Sequence, residues 1–324
     1  MQSNTQIATI QPEEVQVVAA SKDWRDLLDY FVTTQDVKES SRKLYHRTLT
    51  LFFEWVEEKG KTISGLSRQD ILEYKEELFS TGGKKGKPLS SLSVASYLTS
   101  LRKFYEWAES ERLSANIVKG VKTPRRVQTF KKQHLTEEKS GELLSHFESL
   151  SLRDYAIVNL LLRTGLRTIE IVRADIGDIT FKGGRRILRV WGKGHDTKDD
   201  FVVLTDKTYE PIRKYLETRK GATPDEPLFS SDSNRNSGER LTTRTISGLC
   251  KGGLKAIGLD GREFTAHSLR HTTAVTILKN GGDLTQAQNV LRHTSPTTTQ
   301  IYVESIKEEL RLQNAPEALL DSAF

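Results

Sequence analysis

Residues 267–303 read HSLRHTTAVTILKNGGDLTQAQNVLRHTSPTTTQIYV, and the rest of the chain is organised around them. His267 and Arg270 are three residues apart, and the apolar residues that follow, Ala274, Val275, Ile277 and Leu278, recur at helical spacing. One turn of helix therefore points an imidazole and a guanidinium the same way. Gly281 and Gly282 end that helix, and Asp283 is placed to cap a second one with Leu284, Ala287, Val290 and Leu291 on its apolar face. The second helix closes on Arg292 and His293, and a polar turn from Thr294 to Thr299 leads to Ile301 and Tyr302.

Two donors on one helix, a third at a helix end and a phenol beyond a turn suit a phosphodiester. Arginine is always charged, and its planar fork can hold two phosphate oxygens at once. Histidine can donate to a phosphate oxygen or exchange a proton near neutral pH. Tyrosine, with a free pKa of about 10, becomes a covalent nucleophile if it gives up its proton during attack. Taken singly, each residue has a plainer explanation: a lone tyrosine is more often filler, and HxxR on a helix is mostly a solvated or paired face. Order and spacing, with what lies upstream, favour the joint reading.

The chain has 324 residues, enough for two domains. Lys plus Arg number 49 against 43 Asp plus Glu, a net charge of +6 with a pI near 9.2, so the placement of charge says more than its sum. A single cysteine, Cys250, excludes an internal disulfide framework and fits a reducing cytoplasm. The first residues, MQSNTQIATIQPEEVQVVAA, lack the basic start and apolar core of a signal peptide, and no window approaches the ~20 apolar residues of a membrane helix. The expectation is a cytoplasmic protein with no membrane partner.

Residues 1–20 read as a loose polar arm. A small all-α domain is expected over 21–115, built from four amphipathic helices. Trp24, Leu27, Leu28 and Phe31 share one face; Ser40 or Ser41 caps a helix carrying Leu44, Thr48, Leu51, Phe52, Trp55 and Val56 to Gly60; Ser67 caps a third; and Ser91 or Ser93 opens a fourth. Basic residues decorate it: Arg42, Lys43 and Arg47 near one helix start, and Lys84, Lys85 and Lys87 in the loop GGKKGK. Most charge runs are solvated faces, but recurrence on successive elements favours phosphate contact. From Val118 to Lys132 no helical pattern is present, and Lys119, Lys122, Arg125, Arg126, Lys131 and Lys132 occur with no acidic residue. Residues 116–134 therefore read as a basic interdomain linker attracted to duplex DNA.

The second domain, 135–303, opens with Thr136 as a cap and acidic residues behind it. A buried helix, Arg153–Arg163, leads into Thr164-Gly165-Leu166-Arg167-Thr168-Ile169-Glu170, where glycine turns the chain and aims Arg167 into a cleft. Strands are expected at Ile176–Thr180, Arg186–Val190 and Phe201–Leu204, with Lys193 between two glycines on a hairpin. Helices resume near Thr208–Arg219 and Thr243–Ile257. The fold class expected is mainly α with one small antiparallel sheet in the second domain.

TGLRTIE at 164–170, GKG at 192–194, HSLRH at 267–271, LRH at 291–293 and Tyr302 resemble, in order and spacing, the tyrosine recombinases: phage-type integrases and Xer-type site-specific recombinases. The resemblance covers about residues 22–310 and implies two domains forming a clamp on DNA. It implies that Arg167 and Arg270 grip the scissile phosphate and that His293 donates to it. By the same resemblance His267 exchanges a proton with the nucleophile Tyr302, Lys193 protonates the departing 5′ oxygen, and Glu170 is the supporting acid. The chemistry agrees: an alkoxide leaves badly without an acid, and charge developing on the phosphorane wants fixed cations. No metal-ligand spacing is present, so arginines stand where a metal ion would, and neither metal, cofactor nor ATP is expected.

Two departures stand out. Arg292 occupies the position before the second histidine where the family usually has glycine, which would alter the local bend or add a phosphate contact. The hairpin, with HDTKDD after GKG, is about two residues longer than usual, which makes Lys198 an alternative to Lys193. The function expected is site-specific recombination through a 3′-phosphotyrosine, by a protomer that is monomeric or weakly associated when free and tetrameric on two DNA sites. An accessory directionality factor is a further expected partner. Residues 304–324 form a tail expected to dock on a neighbouring protomer. The alternatives are relaxation of DNA in the manner of a type IB topoisomerase and a catalytically silent architectural DNA-binding protein.

Overall fold

The computed structural model describes residues 23–82, 86–124, 133–191, 197–292 and 306–307. The chain divides into two compact units, Met1–Thr129 and Phe130–Phe324.

The first unit is helical: α1 (Trp24–Thr34), α2 (Glu39–Glu58), α3 (Arg68–Ser80) and α4 (Ser91–Ser110). Asp23 caps α1 and Ser67 caps α3 through a capping box with Asp70. The serines expected to cap the other two helices do not. Lys38 precedes α2 with no side-chain cap, because Glu39 and Ser40 already sit in its first turn, and Ser90 rather than Ser91 or Ser93 caps α4. The core is aromatic. Trp24 stacks on Phe53 with ring centroids 5.3 Å apart, while Phe31 meets Phe104 and Phe52 meets Tyr74 edge-on at 5.4 and 5.0 Å. Such geometry adds favourable quadrupole contact to the burial of large rings.

The segment after α4 corrects the expected linker. Val118 and Val121, three apart, are buried in the first unit's core. Arg68 donates to the carbonyls of Lys119 and Gly120, Arg102 to that of Val121 at 2.6 Å, and Lys75 to that of Lys122. Residues 118–122 thus belong to the bundle, held by two apolar anchors that a reading for charge alone overlooks.

The second unit contains α5 (Glu137–Glu148), α6 (Leu152–Thr164), α7 (Thr168–Arg173), β1 (Ile179–Lys182), β2 (Arg185–Val190), β3 (Asp200–Val203), α8 (Asp206–Glu217), α9 (Thr243–Ala256), α10 (Ala266–Lys279) and α11 (Leu284–Leu291). Helix α6 packs against α5, α8 and α10, and its Ile157, Leu160 and Leu161 lie in the centre of the core. The sheet runs β1-β2-β3, antiparallel throughout, with Ile179 opposite Leu188 and Leu188 opposite Val202 on the buried face. The first strand starts three residues later than expected. Ile176–Asp178 is a 3-10 turn, because the Asp178 carboxylate takes the Asp175 amide at 2.8 Å and Gly177 donates to the Pro224 carbonyl. Cys250 is a packing residue of this core, its thiol pushed up to about 12 by burial. Among the described residues no helix is long and apolar enough to cross a membrane.

Candidate active site

The site is built from three elements of the second unit. The first follows α6. Gly165 ends that helix at φ +61°, and a Cβ there would lie 2.6 Å from Leu291 Cδ2. Glycine is needed for both the left-handed backbone and the close approach. The turn delivers Arg167 to the N-cap of α7, where its amide donates to Glu170 Oε2 at 2.7 Å and its guanidinium to Glu170 Oε1 at 2.8 Å.

Helix α10 supplies the second element. Thr265 and Ser268 form a capping box at its start, Thr273 donates to the Leu162 carbonyl of α6, and Thr272 accepts the Leu135 amide. His267 sits on the exposed side of the first turn, whereas Arg270 is only 1 % exposed. The Arg270 guanidinium donates to the carbonyls of Gly165 and Leu291. One buried cation therefore joins the Arg167 turn, α10 and the end of α11. Beside it His271 is buried, its ring stacked near that of His134 with centroids 6.2 Å apart. Burial first, and the neighbouring His134 and His267 after it, push His271 down to about 4. It is neutral at neutral pH.

The third element is the end of α11. Asp283 caps this helix, and Arg292 terminates it in the left-handed conformation, φ 52° and ψ 49°. That conformation costs a non-glycine residue roughly 1–2 kcal/mol. The Arg292 guanidinium turns inward, donating to Glu170 Oε2 at 2.7 Å and to the Val290 carbonyl at 2.9 Å. The described contacts make Arg292 a partner of Glu170, and its left-handed φ sets the local bend. Burial pushes the Glu170 carboxyl upward, but the Arg292 charge and the Arg167 amide and guanidinium outweigh it and hold it below the usual carboxylate range.

Lys198 is engaged elsewhere. Its ammonium contacts Asp175 at 2.6 Å and also Asp178, and Arg240 closes on the other oxygen of Asp175. The pair of aspartates three apart ahead of β1 is the signal that could have located this cluster. Lys193, His293 and Tyr302 lie outside the described residues, as do Lys84, Lys85, Arg125, Arg126, Lys131 and Lys132. Of the other basic residues singled out, Lys43, Arg47, Lys87, Lys119 and Lys122 are exposed, and Lys43 lies 3.5 Å from Glu39. Arg42 instead donates twice to the Gln35 carbonyl, at 2.8 and 3.1 Å, closing the loop between α1 and α2. Sequence reasoning missed the Arg292–Glu170 pair, although the arginine in LRH was its visible trace.

Residues 133–309 match the model of the phage integrase family, and residues 26–112 match the phage integrase N-terminal SAM-like domain. A tyrosine recombinase XerD of Listeria monocytogenes is 30% identical over 299 residues, 88% of this chain and 95% of that protein. A tyrosine recombinase XerC of Caldanaerobacter subterraneus is 29% identical over 311 residues, 88% and 84% of the two chains. Among solved structures, XerH site-specific recombinase bound to a difH substrate superposes with a TM-score of 0.70 at 18% identity, over 95% of this chain and 90% of that one. A lambda integrase dimer bound to a core site gives 0.65 at 18% identity, over 91% and 81%. At these identities the structures bear on the fold, which they share.

Proposed function

We propose that this chain, which belongs to the phage integrase family and is a tyrosine-type site-specific recombinase, breaks and rejoins duplex DNA through a 3′-phosphotyrosine on Tyr302, without metal or ATP. The observation that carries the reading is the pair of bonds from Arg270 to the Gly165 and Leu291 carbonyls. They tie the turn of Arg167, the helix of His267 and the residues just ahead of His293 into one body, as two cations acting on one phosphate require.

In this reading the Tyr302 oxygen attacks the scissile phosphorus and its proton passes to His267. The bond to the 5′ oxygen breaks as Lys193 gives that oxygen a proton. Arg167, Arg270 and His293 donate to the non-bridging oxygens as charge builds on them. The phosphotyrosyl bond conserves the energy of the broken ester, so a 5′-hydroxyl from a second site reverses the steps and completes exchange. Lys198, held by Asp175 and Asp178, is poorly placed to serve as the acid, which favours Lys193. Double-stranded DNA is the partner, met by the exposed cations of α2 and of residues 119–122, and four protomers act on two sites, with residues 304–324 docking on a neighbour.

The test uses nicked suicide substrates built from the DNA flanking the gene. The wild-type protein is expected to form a covalent adduct and to exchange strands between two sites. Tyr302→Phe is expected to form none while binding DNA within about twofold of wild type, since one oxygen is lost and the basic contacts remain. No adduct with wild type would leave an architectural binder, and relaxation without exchange would leave a topoisomerase.

A further inference from the structure

We propose that Arg292 is a positioning residue for strand cleavage: its buried guanidinium locks the backbone immediately before His293 to the turn that carries Arg167. The inference rests on the recombinase reading and adds to it a residue outside the set that touches the phosphate.

Arg292 and Glu170 are equally buried, each side chain 7% exposed, and their contact at 2.7 Å joins residues 122 apart in sequence. The other arm of the guanidinium returns to the Val290 carbonyl at 2.9 Å, so the side chain is fixed at both ends. Its Nε lies 3.7 Å from Asp200, the first residue of β3. Asp200 pairs with Val190 across the sheet, and these two residues bracket the segment that contains Lys193. One residue earlier, the Leu291 carbonyl accepts from Arg270. The dipeptide 291–292 is therefore gripped from two sides, by a cation of α10 through its backbone and by an anion of α7 through its side chain.

Glycine would adopt the left-handed conformation at 292 without strain but would hold nothing. Arginine carries the strain and gains a buried charge-assisted pair, the stronger kind of hydrogen bond. The pair also changes the local charge. Arg167 with Glu170 alone is neutral, whereas Arg167, Glu170 and Arg292 together carry one positive charge, offset only in part by the more distant Asp200. Arg292 thus fixes the acid that orients Arg167 and preserves a positive field at the guanidinium that meets the phosphate.

Arg292→Gly and Arg292→Lys test this. Three quantities are measured on the full chain: melting temperature, single-site affinity, and the single-turnover rate of adduct formation on a nicked substrate at saturating DNA. Arg292→Gly is expected to fold, because lost pairing is opposed by relieved strain, and to bind DNA within about twofold of wild type. Its adduct rate is expected to fall about tenfold to a hundredfold, the scale of a misplaced catalytic group. Arg292→Lys keeps the charge but not the two-ended hold, and is expected to recover part of that rate. A wild-type rate in Arg292→Gly overturns the proposal. So does a loss that appears in affinity and vanishes at saturating DNA, which would make Arg292 a DNA contact. A wild-type rate in Arg292→Lys overturns the lock whatever the glycine variant does. Absence of an adduct in the wild-type protein is a different result, since it removes the recombinase reading itself.

Discussion

The two units bury different things. In the first, the described interior is rings and aliphatics, and its buried polar residues are Thr48 and Ser100, which bond to each other at 2.8 Å. In the second, Glu170, Asp178, Arg270, His271 and a run of threonines lie inside. Ions are costly to remove from water and are tolerated only where partners surround them. An interior that holds Glu170 and Arg270 around the turn of Arg167 is arranged for something other than stability alone. Apolar burial tolerates substitution by shape, whereas an ion network depends on each atom, so the two units should respond differently to conservative change.

Arg270→Lys should separate them most sharply. Lysine keeps the charge but cannot reach both the Gly165 and Leu291 carbonyls, and each carbonyl left unmet inside costs about 1–3 kcal/mol. The adduct rate should fall by at least about a hundredfold, the usual loss for one donor to a developing oxyanion. Phe104→Leu in the first unit, a comparable loss of fit, should lower the melting temperature while leaving the saturated adduct rate within about twofold. If the two variants lost rate equally, the contrast between the interiors would fail.

The same contrast explains what the sequence discloses. Helical periodicity and caps such as Ser67, Thr136 and Asp283 locate most helices, because local spacing decides which face is buried. The motifs around Gly165 and Arg270 are visible as residue types at fixed spacing. What is not legible is pairing across long separations: Glu170 with Arg292, Asp175 with Lys198 and Arg240, Arg68 with the carbonyls of 119 and 120. Nothing local marks a lysine as bound to two aspartates, so Lys198 reads as a free cation near a hairpin. The start of β1 slips for a local reason instead, since Asp178 caps backward onto the Asp175 amide rather than entering the strand.

Lys193 and Lys198 sharpen the comparison within the second unit. Lys193→Ala should slow adduct formation by about a hundredfold on a normal phosphodiester, within the range of general acid catalysis, and by little on a substrate with a 5′-bridging sulfur. Lys198→Ala should slow both substrates equally and slightly, while costing stability, because Asp178 is only 3% exposed and loses a cation. Burial pushes the Asp175 carboxyl upward, and Lys198 and Arg240 outweigh it, leaving it below its ordinary value. A depressed carboxylate contributes stability above its unfolded pKa of about 3.9 and loses it as pH falls through the folded value. Lys198→Ala should therefore melt lower at pH 7 and show a shallower acid decline. Selective rescue of Lys198→Ala by sulfur would make it the acid instead.

The smallest expected effects lie on the first unit, where charge is outside. Arg42 and Arg47 occupy the same helix and carry the same charge, but only Arg47 is exposed, while Arg42 closes a loop through the Gln35 carbonyl. If Arg47 meets a phosphate, Arg47→Ala should weaken single-site binding about threefold to tenfold and reduce the slope of log affinity against log salt by ~0.9, the release of one counterion. Stability should be unchanged within about 0.5 kcal/mol, as for most surface substitutions. Arg42→Ala should do the reverse: about 1 kcal/mol of stability lost with its hydrogen bonds, and a salt slope that does not move. Binding titrations at several salt concentrations, with a melt of each variant, decide the matter. A slope that drops for Arg42→Ala and not for Arg47→Ala would reverse the assignment and place the DNA on the loop between α1 and α2.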